Sequence, residues 1–510
     1  MRITTIFPLA AITLLAGCGT VPQAYRLSGD FTAPQSQVDH CSALLAAVRQ
    51  ATWAAGVGDG EAARIAGFPY LRVNRFFAHV GRRFDGKAAS PAFNAWVKNL
   101  RQLDAEATRI EIRNLPAPAF RSLRKATGVR SPIRQSVVDA VEECAKEKQT
   151  ELRSVERRRA LLRSASVPED YSDAARTLGV FPLSSIPISV GWENWKQTHL
   201  LTFARTAAAV PTTANKVAYV PPVAAPRLRP RDVKALVDRS RDRSLGIPRP
   251  SGEARSRLLQ NFAPIWLIDG TKPYDRPGHP RWYGGSTIDI DTGQPSVFAR
   301  IGHTVIDDQV YLQLIYTIWF SERPLQSPAD LLGGKLDGVI WRVTLGSDGQ
   351  PLIYDTIHAC GCYHLLFPSS DFRKRFQGRS RRQLREVPAI LPTLPTLRRN
   401  ERIVLHVASA THYVSRVTTS GESDAGGQSQ RYKLTDASVL RSLPVVDGRR
   451  RSMFQPDGLV AGSDRLERFV LWPSGVKSPG AMRQWGRHAI ALVDRRHFDD
   501  ADLFHQIFGQ

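Results

Sequence analysis

Residues 310–320 set the tightest limit on the fold. Val310, Leu312, Leu314, Tyr316, Ile318 and Phe320 alternate with Tyr311, Gln313, Ile315, Thr317 and Trp319, a period of two. Successive side chains of a strand point to opposite faces. Both faces of this segment are largely apolar, which predicts a strand in the interior of a sheet. Further strands are expected at 297–303, 402–408, 411–418, 466–472 and 487–493. Gly338–Leu345 and Pro351–His358 flank Ser347-Asp348-Gly349, a hairpin signal. Arg373–Arg382, Arg449–Arg451 and 420–430 read as loops. Residues 261–510 therefore read as a mainly antiparallel β sandwich or barrel-like domain.

Before Asn261 the apolar period is close to 3.6. Val38, Cys41, Leu44, Leu45 and Val48 make one stripe. Ser90-Pro91 places a cap before a proline at the first helical position, and Phe93, Trp96, Val97, Leu100, Leu103 and Ile110 continue that helix towards Pro116. Ser131-Pro132 repeats the start signal, with Ile133, Val137, Val141 and Cys144 on one face and a charged, solvated tail through Arg157-Arg158-Arg159. This predicts a helical domain over 37–165. Residues 166–260 read as a connecting segment, with Ser172 as a cap and Pro182 and Pro187 as helix breakers. Its stretch 207–232 is rich in Ala, Val, Pro and Arg and suits an extended connection, with short helices at 232–239 and 251–260. The fold class is α+β.

The amino end carries a different signal. Arg2 precedes a short apolar run, Ile6–Leu15, well short of the roughly 20 residues that span a bilayer. The run ends in Leu15-Ala16-Gly17-Cys18, which resembles the lipobox of bacterial lipoproteins. That resemblance implies a signal peptide over 1–17, lipidation at Cys18 with palmitate-like chains, and a tether over 18–36. Gly19 after the cysteine implies, by the same resemblance, the periplasmic face of the outer membrane. Tyr316-Thr317-Ile318-Trp319-Phe320-Ser321-Glu322-Arg323-Pro324 and Pro479-Gly480-Ala481-Met482-Arg483-Gln484-Trp485-Gly486 resemble runs in uncharacterised proteobacterial envelope proteins. That family implies no activity.

Charge and cysteines fit the same compartment. The net charge of +23 favours acidic partners, which in an envelope are phospholipid, lipopolysaccharide or peptidoglycan, whereas an export signal argues against nucleic acid. Apart from Cys18, four cysteines remain, an even number suited to an oxidising space. Cys41 and Cys144 are the expected disulfide, because both lie on apolar helix faces of one region.

His358-Ala359-Cys360-Gly361-Cys362-Tyr363-His364 is the most unusual run. If extended, His358, Cys360, Cys362 and His364 share a face, a set of nitrogen and sulfur donors suited to a transition metal. A straight strand spreads them too far for one ion, so a turn at Gly361 is required. The same turn would let Cys360 and Cys362 form a small disulfide, and packed, inert thiols are a third outcome. His303 and His412 are further candidate ligands, His303 with Asp307 on the turn before the central strand. Arg483, Trp485, Arg487 and His488 form a candidate anion-binding or ligand-binding cluster, with a structural Arg–Trp stack as the alternative. No Gly-x-Ser-x-Gly, phosphate-binding loop, His-Glu-x-x-His or dinucleotide fingerprint is present. Two functions are thus expected: a non-catalytic envelope protein meeting anionic components, or a metal-dependent enzyme built on the 358–364 run.

Overall fold

A computed structural model of the chain describes residues 39–204, 216–223, 227–270, 272–379, 384–394, 396–421 and 428–509. The expected signal, Cys18 and the tether lie outside the described residues. Helix α1 (His40–Ala54) buries Cys41, Leu44, Leu45 and Val48, the stripe set by their spacing. Strands β1 (Ala63–Ile65) and β2 (Phe68–Val73) pair antiparallel, and α2 (Arg75–Gly81) follows. Helix α3 (Pro91–Asn114) begins where Ser90 accepts a hydrogen bond from Phe93 N at 3.1 Å. Helices α4 (Ala117–Thr127) and α5 (Arg134–Lys148) pack beside it. Cys144 on α5 is bonded to Cys41 on α1, with 5.0 Å between their Cα atoms.

Two parts of this half depart from expectation. The helix of Cys144 does not run on through the arginine triplet. A 3-10 turn (Gln149–Arg153) intervenes, and Ser154 caps a new helix, α6 (Val155–Ser164). Arg158 is buried rather than solvated, because its guanidinium donates to the carbonyls of Gly86, Lys87, Leu152 and Arg153. Nor do the prolines break the chain. Ser172 caps α7 (Asp173–Leu178), and α8 (Phe181–Ala204) then runs through Pro187 for 24 residues. Pro182 sits in the first turn, where its missing N–H has no helical partner, and Pro187 forgoes one bond to the carbonyl four residues earlier.

Strand β3 (Lys216–Val220) lies within the stretch expected to be an extended connection, and it buries Ala218 and Tyr219. Helices α9 (Pro230–Arg239) and α10 (Gly252–Phe262) lead to β4 (Ile265–Asp269) and a hairpin of β5 (His279–Tyr283) and β6 (Thr287–Asp291). Then come β7 (Ser296–Ile306), β8 (Gln309–Arg323), β9 (Gly334–Leu345), β10 (Pro351–His358), β11 (Leu365–Pro368), α11 (Ser370–Arg375) and β12 (Ala389–Ile390). The last strands of the two large sheets are β13 (Glu401–Val407), β14 (Val414–Gly421), β15 (Gln428–Arg431) and β16 (Lys433–Asp436). Helices α12 (Arg468–Leu471) and α13 (Leu503–Phe508) follow.

The larger sheet has the order β12-β11-β10-β9-β8-β7-β16. Its consecutive strands β7 to β11 pair antiparallel, while β12 and β16 join the edges in parallel. Strand β8, the segment read as interior, lies inside the sheet with both faces covered. Leu312, Leu314, Tyr316, Ile318 and Phe320 share a core with Trp266, Leu405 and Val407 of the five-stranded sheet β14-β13-β4-β3-β15. On the other face Tyr311 and Ile315 meet Phe372 of α11 and Phe504 of α13. The helical core reaches the same sheet through Val305 and Val310, and Cys41–Gln510 form one compact unit. The architecture is α+β, and among the described residues no sheet closes into a barrel.

Several expected local structures are corrected, among them Arg450–Arg451, expected in a loop, which pair as a short strand with Leu443–Pro444. Residues 466–472 carry α12, a short helix, and not a strand; its Phe469 and Val470 are exposed, so no sheet covers their apolar faces. Residues 487–493 are buried but make only an isolated bridge, Ala489 to His497. The arginine-rich loop at 373 begins inside α11, which Ser369 caps.

Candidate functional site

The run His358–His364 turns sharply. Gly361 N donates to His358 O at 2.8 Å, and His358 N donates to Cys362 O at 3.0 Å. Gly361 has φ +98°, and a Cβ there would lie 2.3 Å from Ala489 O, so only glycine fits. The turn points the four candidate ligands to different partners. His358 Nδ1 is 3.4 Å from Asp337 Oδ1, and His364 Nε2 is 3.0 Å from Asp355 Oδ2. Cys360 and Cys362 are free thiols, with the Cys362 amide donating to Cys360 Sγ at 3.4 Å. The contact with Cys360, together with burial, pushes the Cys362 thiol well above its usual range. Among the described residues no three His, Cys, Asp or Glu side chains gather as a metal-holding set. The metal centre expected from His358, Cys360, Cys362 and His364 with His303 or His412 is therefore not assembled.

His303 lies within β7, before the Asp307-Asp308 turn, and its Nε2 is 2.7 Å from Pro248 O. Burial lowers its pKa to about 4. His412 is fully buried, with Nδ1 2.8 Å from Asp337 Oδ2 and Nε2 3.0 Å from Tyr274 O. Both of its ring nitrogens thus face oxygen atoms. Asp337 thus links His358 and His412. Burial would raise the Asp337 carboxyl, but the two histidines outweigh it and hold it well below the usual carboxylate range. His358 is pushed down by burial, against the pull of Asp337. Its Nε2 has no hydrogen-bond partner among the described residues. That atom's ring borders a space of about 10 Å³ walled by Trp195, His199, Tyr363 and Tyr413, room for roughly one water.

Arg483, Trp485, Arg487 and His488 do not form an open anion site. Arg483 donates to Cys360 O at 3.0 Å and Ser478 O at 2.9 Å, and Arg487 donates to Gly60 O at 3.1 Å. Trp485 is covered by the Arg300 guanidinium at 4.9 Å, itself paired with Glu61 at 2.6 Å. His488 is buried, which lowers its pKa to about 3. The cluster is a wall in which backbone carbonyls occupy the guanidinium donors.

A further opening lies elsewhere. A cleft of about 600 Å³ is bounded by α2, the end of α6, residues 165–169 and the 495–502 segment. This volume lies within the range of small-molecule sites. Trp96 forms part of the lining. Its Nε1 donates to Phe77 O at 2.8 Å, and a Cβ on Gly81 would lie 2.7 Å from its ring, so α2 approaches the indole only through glycine. Arg75, Arg82, Arg163 and Arg495 line the cleft, against the carboxylates of Glu169, Asp500 and Asp502. Beneath it Arg75 donates to Asp170 at 2.9 Å, and His497 Nε2 lies 3.3 Å from the same carboxylate. Burial alone would raise Asp170, but His497, Arg487 and Arg75 bring its pKa down to about 2. Asp500 moves the other way, because burial outweighs His497 and Arg75. At the mouth Arg82 and Arg163 are exposed, and neither makes an ion pair among the described residues. No part of this cleft was singled out in the sequence. Its residues come from segments far apart in the sequence, which only the fold brings together.

No protein-family model, curated protein or solved structure matches the chain.

Proposed function

We propose that this chain is a lipid-anchored protein of the bacterial envelope, held at the periplasmic face of the outer membrane through Cys18. Its body binds anionic envelope components: lipopolysaccharide, phospholipid or peptidoglycan. In the finer reading of its architecture, a helical domain precedes a sandwich of the two large sheets. The single observation that carries the binding role is the 600 Å³ cleft with the unpaired Arg82 and Arg163 at its mouth. A cation without a carboxylate partner in a concave site is free to meet a phosphate or carboxylate of a ligand. The Cys41–Cys144 disulfide supports the export reading, because such bonds persist in oxidising compartments.

Titration of the purified protein against lipopolysaccharide and soluble peptidoglycan fragments tests the role. Binding is expected to weaken as salt rises through the range where the Debye length falls below ~10 Å. Arg82→Ser with Arg163→Ser is expected to weaken it about tenfold, at under 1 kcal/mol per exposed charge. Affinity indifferent to both changes overturns the cleft as the anion site.

A second reading, acid–base chemistry, rests on His358 Nε2 and its unpartnered position beside a water-sized space. An imidazole steered through Nδ1 by Asp337 can take a proton from water at Nε2. Under this reading a screen of ester, amide and glycoside substrates finds a hydrolysis that His358→Gln removes by at least 100-fold, within the range of general-base contributions. A hydrolysis unchanged in that variant eliminates the histidine as its base.

A further inference from the structure

The stretch from Leu178 to Trp192 contains no Asp, Glu, Lys or Arg. It joins α7 to the first half of α8, and it leaves apolar side chains in solvent. Leu178 is 77 % exposed, Leu183 67 % and Ile186 60 %. The patch continues onto α12. A Cβ on Gly179 would lie 2.5 Å from Pro473 Cβ, so the α7–α8 corner rests against the end of α12. There Phe469 is 64 % exposed, and Val470 and Trp472 are exposed beside it. Exposed apolar clusters of this kind mark a surface that meets something apolar.

We propose that this patch sits in the anionic phospholipid leaflet to which the chain is tethered. The proposal rests on the lipid-anchor reading, and three observations favour lipid over protein. Trp472 at its edge is the residue type that partitions to the boundary of headgroups and acyl chains. Arg385, which donates to Ser185 of α8, stands at the margin where headgroup phosphates would lie, as does Arg468, which lies over the Phe469 ring and pairs with Asp464 at 3.0 Å. The whole chain carries +23, which draws it to an anionic surface. Between Cys18 and the first described residue only 20 residues intervene, a reach of roughly 70 Å at full extension and ~25 Å as a flexible chain. At such range the anchor keeps the body at high local concentration over the leaflet, so even weak insertion holds. Alone, no helix among the described residues is long and apolar enough to cross the membrane, so the patch would lie in the interface.

The test uses the full-length protein reconstituted into phosphatidylethanolamine–phosphatidylglycerol vesicles with brominated acyl chains, which quench nearby tryptophan. Trp472 is one of 10 tryptophans, so roughly a tenth of the emission is expected to be lost. That loss is expected to fall in Trp472→Phe to what the half-buried Trp192 contributes, and to vanish in Leu183→Glu with Phe469→Glu, whose side chains lie in solvent and outside the core. All three proteins still float with the vesicles through the anchor. Bromine without effect on a protein that floats overturns the patch proposal and leaves the anchor standing. Quenching equal in wild type and the glutamate variant overturns it too. If bromine has no effect while the wild type dimerises and the glutamate variant does not, the occupant is a second copy and the lipid assignment fails. A Cys18→Ser form processed and positioned like wild type removes the anchor reading instead, and that result is independent of the quenching.

Discussion

Glu467 shows what a single buried acid can impose. It lies among Arg323, Arg465 and Arg483, yet burial dominates and its pKa rises to about 7. Close by, Gly480 has φ +82°, and a Cβ there would lie 2.1 Å from Glu467 Oε1. The folded pKa stands above the unfolded one, so the stabilising contribution is complete below about pH 4.5 and is lost as pH rises through about 7. Glu467→Gln should remove this slope. Urea unfolding across the window is expected to show wild type losing roughly 3 kcal/mol relative to the variant. A wild type that gains relative stability over that window refutes the assignment. Nothing in the local sequence marks this acid, because its burial comes from the long-range packing around Arg465 and Gly480. Cys41 and Cys144 were legible for the opposite reason: each sits on an apolar stripe that its own neighbours define.

At the scale of elements, the interior strand and the hairpin were the most legible features, since both follow from local alternation and a short turn. The hairpin register, with Asp355 opposite Arg342, also contained a pair that its strands announce but sequence inspection passed over. The two make a buried ion pair, Arg342 Nε to Asp355 Oδ1 at 2.8 Å, and His364 completes the carboxylate's bonding. Arg342→Met should strand that carboxylate and destabilise by about 3–5 kcal/mol. Arg342→Met with Asp355→Leu should recover part of the loss, since the two charges then leave together while His364 and the Phe498 carbonyl lose a partner. Denaturation midpoints decide it: a double variant no better than the single one would show the pair is not coupled. The misread elements share a cause. Arg158, α8 and β3 each follow tertiary partners that outweigh composition: carbonyl acceptors for a guanidinium, a helix running through Pro187, and a sheet neighbour for a proline-rich stretch. Of the three outcomes open for the 358–364 run, free thiols are the one the structure has, and its histidines pair with Asp337 and Asp355, which lie outside the run.

For the molecule as a whole, the order in which parts can form follows from the last helix. Leu503, Phe504, Ile507 and Phe508 of α13 seal one face of the larger sheet against Phe372 and Phe376. At the sheet's edge β16 docks on β7, more than a hundred residues upstream, and the Cys41–Cys144 bond closes a loop of 103 residues. Each closure waits for a late partner to arrive. A chain made amino end first therefore carries its aromatic and aliphatic sheet face bare until residue 508 emerges, and the Cys41–Cys144 bond cannot close until Cys144 follows. The unfinished chain thus exposes an apolar sheet face that only its last helix covers, and its contacts between residues far apart in sequence form late.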